Sequence, residues 1–343
     1  MYRLLSRIRF PPEPPPNSFR LAKLTSKPYA FEDLPPQAVF IATEDLSVGP
    51  YKWSQVHRGS LQSVPTKHDG ASHTSMQDSE EVILKVFKES LFPESIFYRS
   101  RRLARERGVS PWWNEATEEH MCWSEVFAYS ALASLQGKMI PKFIDAYMVK
   151  SPDSDEECMA IAMSRIEGRP IEEVCLELGA DEDPDEKKWY PIAVQMLRNI
   201  HLLRQHGIVQ KDIRTTNILV EETHGIAQQD SQESPSKYSV NLIDFARIEP
   251  YEYKIGDDGC AVLGGEIDVA QMEIMIARWC GNEVDHPAGY DLGGPTRRRS
   301  EFFKWLFKNY GDEQFVKDYW VSLKRCVHEK YFVCIAEGPN FRP

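Results

Sequence analysis

Short apolar runs alternate with polar segments through the first half of the chain, which is the pattern of β-strands separated by turns. The predicted strands are 38–46, 51–61, 81–87, 142–149 and 159–166. One helix is predicted among them, over 118–137, because apolar residues recur there at spacings of three and four and Gly137 supplies a stop. The first half is therefore rich in strands.

The second half has mainly helical periodicity. The clearest helix is predicted over 188–207, where Gly207 marks the end. Its apolar residues recur every three or four positions: Trp189, Ile192, Met196, Ile200 and Leu203. Further helices are predicted near 268–280, 300–309 and 312–329, with Ser300 as the N-cap of the second. Two short strands, within 217–222 and 239–246, lie between these helices.

The first 37 residues have a different composition. The run PPEPPP at 11–16 and a second proline cluster near residue 35 favour extended chain, so residues 1–37 are predicted to form a proline-rich N-terminal arm. A docking motif for a proline-reading domain is the alternative. Residues 1–10 contain three arginines and no acid, which faintly suggests organelle targeting, but they lack the apolar core of a secretory signal. Cytoplasm is the expected compartment, with the nucleus as an alternative.

Composition excludes several classes of protein. The formal net charge of −11 argues against general binding to nucleic acid, and no apolar run reaches the roughly 18 residues needed for a membrane span. The seven cysteines are odd in number and no two have CxxC spacing. A reduced intracellular protein without a zinc site is therefore expected.

Four polar features occur in order on different predicted elements. Lys85 lies within a strand, Glu125 within the following helix, Asp212 and Asn217 on the loop after the long helix, and Asp244 at the end of a strand in LIDFA. Each alone has an ordinary explanation, since a strand lysine usually lies on the solvent face and a D-x-x-x-x-N pair is common. Their joint order is more informative.

In that order, these residues resemble the protein-kinase-like superfamily, which includes eukaryotic protein kinases and small-molecule kinases such as aminoglycoside kinases. The resemblance covers about 38–330 and is strongest over 189–248. It implies an α+β, bilobal protein-kinase-like fold. A small antiparallel β N-lobe with one main helix would span 38–165, with insertions at 62–80 and 88–116, and a mainly helical C-lobe would span 166–343.

The resemblance also implies an activity, namely ATP-dependent transfer of the γ-phosphoryl group to a hydroxyl acceptor. Asp212 would be the base, and Asn217 and Asp244 would hold Mg²⁺ through hard oxygen ligands. Lys85 would contact the α- and β-phosphates and Glu125 would hold Lys85 in place. The acceptor, a protein or a small molecule, is not identified by the sequence.

Further positions follow from the same resemblance. Arg214, two residues after the base, would lie close to the transferred phosphate. The nucleotide would also contact the following residues: Gly49 and Val56 near the phosphate-covering loop, Met163 as gatekeeper, Ser164, Arg165 and Ile166 at the hinge, and Leu219 beneath the adenine ring.

Several features depart from the family pattern. The glycine-loop positions hold Gly49, Tyr51 and Ser54, so only the first glycine is present. QKD replaces HRD, DFA replaces DFG, and no APE follows within the short segment after Asp244. These departures argue against a conventional phosphorylation-switched kinase. They leave open an active atypical or small-molecule kinase, or a pseudokinase that acts as a nucleotide-binding or protein-interaction scaffold.

Overall fold

The computed structural model describes residues 1–16, 26–35, 38–49, 52–63, 81–92, 117–152, 154–179, 188–223, 237–251, 272, 275–276 and 297–328. The chain divides into two compact units. Unit 1 is Met1–Arg165 with Phe245–Arg247, and unit 2 is Ile166–Asp244 with Ile248–Pro343. The insertions expected at 62–80 and 88–116 and the helix expected at 268–280 lie almost entirely outside the described residues.

Unit 1 contains seven strands and one α-helix among its described residues. The strands are β1 (Tyr2–Arg9), β2 (Ala30–Asp33), β3 (Ala38–Ser47), β4 (Gln55–Ser63), β5 (Val82–Phe87), β6 (Phe143–Lys150) and β7 (Glu157–Ser164). Helix α1 spans Glu118–Ala131, and the side chain of its N-cap residue Thr117 accepts a hydrogen bond from the His120 amide. The strands predicted for this region are confirmed, with shifts of a few residues at their ends. The predicted helix is confirmed from residue 118, but its predicted end at Gly137 is wrong, because the α-helix ends at Ala131 and a 3₁₀ turn at Ala133–Leu135 follows it.

The strands of unit 1 form one antiparallel sheet that closes on itself. The order β1-β3-β4-β5-β7-β6 returns to β1, because β1 pairs with β3 through Tyr2 and Arg3 and with β6 over Arg3–Arg7. Strand β2 is added at the other end of β1. Buried side chains from five of these strands fill the interior, including Leu4, Phe40, Leu84, Val149 and Ala160, and the partly buried Leu61 of β4 packs against them. The core of unit 1 therefore lies within a closed six-stranded barrel.

The predicted fold class, a bilobal protein-kinase-like fold, is wrong. In place of a small N-lobe sheet paired with a mainly helical C-lobe, the structure has a closed six-stranded barrel. Strands outnumber α-helices by twelve to five among the described elements. The kinase-like classification fails because β1 joins β3 to β6, a pairing between distant segments that local sequence patterns do not reveal.

The N-terminal arm predicted over 1–37 also differs from the structure, since Tyr2–Arg9 and Ala30–Asp33 are strands. Tyr2 and Leu4, two positions apart, face the barrel interior, and Ile8 further along the strand is also buried. Two of the three arginines in residues 1–10 form ion pairs in the structure. Arg7 and Arg9 form ion pairs with Asp145 of β6, at 3.2 and 2.7 Å.

Unit 2 contains four α-helices and two small sheets among its described residues. The helices are α2 (Ile171–Gly179), α3 (Tyr190–Gln205), α4 (Arg297–Tyr310) and α5 (Gln314–His328). Strands β8 (Arg169–Pro170), β10 (Ile218–Glu222) and β11 (Tyr238–Leu242) form one sheet, and β9 (Ile208–Gln210) pairs with β12 (Ile248–Pro250) in the other. Helix α4 begins three residues before Ser300, so the predicted N-cap at Ser300 is wrong.

Aromatic side chains fill much of the interior of unit 2. The rings of Trp189 and Phe302 stack with centroids 4.9 Å apart, and Tyr190 meets Phe302 edge to face at 5.0 Å. Such pairs add stabilisation beyond their buried area. These ring contacts pack the beginning of α3 against α4.

Three described cysteines are free and buried, namely Cys122, Cys158 and Cys175. Burial raises the pKa of each thiol, to about 12 for Cys158. These cysteines are therefore packing residues and not reactive thiols. In the described part of the chain, no helix combines the length and the apolar character needed to cross a membrane.

The closed sheet predicts that Leu4→Ala destabilises the protein by about 2–5 kcal/mol, because Leu4 is buried in the barrel interior. Arg3→Ala, at the neighbouring exposed position, is the matched control and is expected to change the free energy of unfolding by about 0.5 kcal/mol or less. Urea unfolding of the full-length protein measures both. Equal, small effects of the two substitutions would show that β1 does not belong to the core.

Candidate functional site

The polar loop between β9 and β10 is built at the end of α3. Gly207 ends the helix with φ +79°, a conformation that favours glycine, and its carbonyl oxygen accepts a hydrogen bond from the Tyr251 amide at 2.7 Å. Strand β9 is fully buried, and the chain then turns through Asp212 into a 3₁₀ turn at Thr215–Asn217. The loop is therefore anchored on both sides by hydrogen-bonded strands.

Asp212 is a buried carboxylate on this loop. The guanidinium group of Arg214 grips it with two nitrogens: Nε donates to Oδ1, and Nη2 donates to Oδ2 at 2.7 Å. Such a fork fixes the plane of the carboxylate as well as neutralising it. The Arg214 side chain is about half exposed, so the pair meets solvent on the arginine side.

Asn217 closes the loop from its other end. Its side-chain nitrogen Nδ2 donates to the backbone oxygen of Asp212 at 3.0 Å, and its own amide donates to the carbonyl oxygen of Arg214 at 2.9 Å. The amide nitrogen of the side chain is thereby engaged within the loop, which leaves Oδ1 as the end that accepts. The five-residue spacing of Asp212 and Asn217 thus corresponds to one compact, hydrogen-bonded turn.

Asp244 lies beside Asn217 at the end of the β10–β11 hairpin. Ile218 pairs with Leu242, and the Ile243 amide donates to the Asn217 carbonyl at 3.0 Å, so Asp244 is the next residue along. It has φ +64°, which is unusual for a residue other than glycine and costs backbone energy. Strain of this kind concentrates at functional sites.

Gln210 holds the strained residue in place. Its side-chain nitrogen donates to the Asp244 carbonyl oxygen at 2.6 Å, while Gln210 itself is buried in β9. In the sequence, Gln210 is visible only as the first residue of QKD, which departs from the HRD of the family pattern, and this contact is not predicted. The available signal was a polar residue at the buried end of a strand, which requires a hydrogen-bonding partner nearby.

The oxygen donors of Asn217 and Asp244 fit a magnesium ion only in part. Both are hard ligands, and Mg²⁺ is commonly held by one or two carboxylates together with substrate phosphates. In the described residues, no group of three or more His, Cys, Asp and Glu side chains converges on a metal position. A magnesium ion at this place would therefore depend on oxygens supplied by the substrate.

In unit 1, Lys85 and Glu125 form a buried ion pair. All six residues of β5 are buried, so Lys85 does not lie on a solvent face, and its Nζ is 2.6 Å from Oε2 of the fully buried Glu125 in α1. Burial of either charge alone is costly, whereas the pair offsets that cost. The predicted association of Lys85 with Glu125 is thus found in the structure.

The other predicted nucleotide-contacting residues of unit 1 lie on or next to the same sheet. Val56 pairs directly with Lys85 across β4 and β5. Gly49 has φ +120° in the turn after β3, where the Gln55 side chain bonds both its amide and its carbonyl oxygen, at 2.7 and 3.0 Å. Met163 in β7 is buried and accepts a hydrogen bond from the Tyr129 hydroxyl through Sδ.

The predicted hinge residues have different surroundings. The Ser164 hydroxyl accepts a hydrogen bond from the Lys142 amide at 2.8 Å, and Arg165 forms an ion pair with Glu81 at 2.6 Å. Ile166 is the first residue of unit 2. Leu219, also in unit 2, pairs with Asn241 of β11.

The predicted site residues thus form one cluster in each unit. Within unit 2 the structure brings together Asp212, Arg214, Asn217 and Asp244. Within unit 1 it brings together Lys85, Glu125 and Val56.

No protein-family model matches this chain, and neither does any curated protein. The chemistry of the two clusters is therefore argued from their geometry.

One carboxyl group of α1 has a strongly shifted pKa. Glu118, at the start of α1, has its pKa raised to about 7, first by burial and then by the nearby charges of Glu89, Glu156 and Glu119. A backbone hydrogen bond from Met159 acts in the opposite direction. The folded protein therefore binds a proton at Glu118 that the unfolded chain releases near its ordinary value of 4.5.

Substitution of Asp244 tests the backbone strain. Asp244→Gly and Asp244→Ala both remove the carboxylate, but only glycine adopts φ +64° without steric cost. We expect the glycine variant to be more stable than the alanine variant by about 1 kcal/mol. Urea unfolding of both measures the difference. An alanine variant as stable as the glycine variant would show that this backbone is not strained.

Glu118 predicts a pH dependence of stability. Because the pKa of Glu118 is higher in the folded protein than in the unfolded chain, its protonated form stabilises the folded state. This contribution to the free energy of unfolding is fully present below about pH 4.5 and is lost as pH rises to about 7. Glu118→Gln is expected to remove this loss, because glutamine does not titrate. Relative to the parent protein, the free energy of unfolding of the variant is therefore expected to rise by on the order of 2 kcal/mol between pH 5 and 8. Unfolding free energies at several pH values measure the gain. Glu173→Gln, at an exposed position of α2, is the control, and parallel curves for both variants would contradict the assignment.

Proposed function

We propose that the chain is an ATP-dependent phosphotransferase that moves the γ-phosphoryl group to a hydroxyl acceptor at the β9–β10 loop. The observation that carries the proposal is the convergence of Asp212, Asn217 and Asp244 on one hydrogen-bonded structure within unit 2. This proposal concerns the chemistry of the loop and does not depend on a kinase-like fold.

Asp212 is assigned the role of general base. As the acceptor oxygen forms its bond to the γ-phosphorus, the bond from that phosphorus to the leaving oxygen of ADP breaks and the hydroxyl proton passes to Asp212. A carboxylate on a compact turn suits this task because its direction is already fixed before substrate binds. Asn217, which bonds the backbone of Asp212, supplies that fixation.

Arg214 is assigned to the transferred phosphate. Its guanidinium group has five donors, of which two are engaged by Asp212. The half-exposed side chain keeps other donors on the solvent side of the pair, where a phosphate group approaches. Arg214 thus couples the orientation of the base to the position of the anion.

Asn217 Oδ1 and the Asp244 carboxylate are the groups that would hold magnesium. A bound Mg²⁺ neutralises the charge of the triphosphate and of the transferred group. The strained backbone of Asp244 is held by Gln210 at the end of the hairpin, one residue after the Ile243 amide that bonds Asn217. The role predicted for Lys85, contact with the α- and β-phosphates, stays a prediction for unit 1.

A non-catalytic scaffold that binds nucleotide or protein is the second candidate. It is favoured by one observation, namely that Arg214 engages both carboxylate oxygens of Asp212. A carboxylate held in this way accepts a proton only after the arginine moves or shares it. The two candidates differ in turnover and not necessarily in nucleotide binding.

A thermal-shift titration and a transfer assay test the proposal. ATP with magnesium at millimolar concentration is expected to raise the melting temperature, because a ligand that binds the native state stabilises it. Asp212→Asn is expected to lower phosphoryl transfer or ATP hydrolysis by about 10²–10⁴-fold and to leave the ATP-induced shift intact. Asp244→Asn is expected to weaken the magnesium-dependent part of the shift.

The control is Asp312→Asn, at an exposed position of unit 2, which is expected to behave like the parent protein. Labelled ATP with a panel of protein and small-molecule hydroxyl acceptors measures transfer. If ATP with magnesium does not raise the melting temperature, the proposed enzymatic function is contradicted. A shift without transfer or hydrolysis would favour the scaffold.

A further inference from the structure

The chain that follows β1 lies against helix α1. The ring of Phe10 stacks on that of Trp123, with centroids 5.6 Å apart and planes inclined by 22°. The Trp123 indole nitrogen donates to the carbonyl oxygen of Glu13 at 3.0 Å. Trp123 is only 2% exposed, so these contacts bury a large side chain on the helix.

The chain that leads into β2 contacts the same side of α1. Lys27 forms an ion pair with Glu119 at 2.5 Å, and the Phe10 ring lies 5.2 Å from that of Tyr29. Burial, and then the charge of Glu119, raises the pKa of the Tyr29 hydroxyl. Because Glu119 and Trp123 are four positions apart, they share one face of the helix.

The opposite face of α1 carries the ion pair. Glu125 lies two positions after Trp123, a rotation of about 200° around the helix, and it bonds Lys85 of β5. Tyr129, four positions further, donates its hydroxyl to Met163 of β7. Helix α1 is therefore held between the N-terminal segment on one side and the sheet on the other.

We propose that Trp123 is a positioning residue: it ties Phe10–Glu13 to α1 and so holds Glu125 against Lys85. Glu125 is fully buried, so even a small displacement of the helix separates two charges in a place that water does not reach. The N-terminal segment thus controls the ion pair from the far side of the helix. Any effect on phosphoryl transfer rests on the proposed function.

The rate at which Lys85 is acylated under native conditions tests the proposal. A paired, buried amine reacts slowly, and release of the pair exposes it. Trp123→Phe keeps an aromatic ring but deletes the indole donor, whereas Phe10→Ala removes the stack without altering α1. Each is expected to raise the acylation rate of Lys85, measured by peptide mass spectrometry, by roughly twofold to tenfold, the factor that one net hydrogen bond or ring contact contributes to an opening equilibrium.

Phe31→Ala is the matched control. Phe31 lies at the exposed end of the same aromatic row, 5.6 Å from Tyr29, and its loss is expected to leave the Lys85 rate unchanged. The urea dependence separates a local displacement of α1 from global unfolding, because only the latter depends steeply on denaturant. Rates that stay at the parent value, or that rise only with a steep urea dependence, would overturn the proposal.

The same variants keep the two proposals distinguishable. If Lys85 becomes reactive and ATP-induced stabilisation is lost, the positioning of the pair and its nucleotide role are both supported. If Lys85 becomes reactive while ATP binding is unchanged, the positioning is supported and the predicted phosphate contact of Lys85 is contradicted.

Discussion

The pairing of β1 with both β3 and β6 is the constraint on which unit 1 depends. Without β1, the sheet would have two free edges and its apolar interior would be open along one side. Closure places Tyr2 and Leu4 inside and leaves Arg7 and Arg9 outside, where both meet Asp145. Strand β1 is therefore part of the barrel and not an appendage to it.

Closure also determines the environment of Lys85. Strand β5 lies between β4 and β7, so both of its edges are paired, and all of its residues are buried. A lysine at this position requires an anion, and α1 supplies it through Glu125. Helix α1 in turn contacts Phe10 and Glu13. The N-terminal segment therefore has two structural roles: β1 pairs within the sheet, and the residues after β1 pack against the helix.

The loop of unit 2 depends on a different principle, the satisfaction of buried polar groups. Asn217 bonds the backbone of Asp212, and Gln210 bonds the backbone of Asp244, so two side-chain amides fix the backbone at the two aspartates that carry the proposed chemistry. The unfavourable φ of Asp244 persists because this network over-determines it. Rigidity before substrate binds is what a phosphoryl-transfer site requires.

Much of the local structure was predictable from the sequence. Short apolar runs bounded by polar segments indicated β3 to β7, the three-to-four-residue spacing indicated α1 and α3, and Gly207 marked the end of α3. Several site residues were also predictable as groups, since Asp212 and Asn217 lie on one turn and Lys85 meets Glu125.

These elements follow from the amino-acid sequence alone because their signals lie within a few residues of one another. The closure of the sheet, the hydrogen bond from Gln210 to Asp244 and the contact of Phe10 with α1 are visible only in the folded chain. The proline run at 11–16 favoured an extended arm over the strand that precedes it. In addition, no local sequence pattern indicates which distant strand pairs with β1. Long-range pairing and the partners of buried polar groups arise from packing the whole chain, which is why they could not be predicted from local sequence.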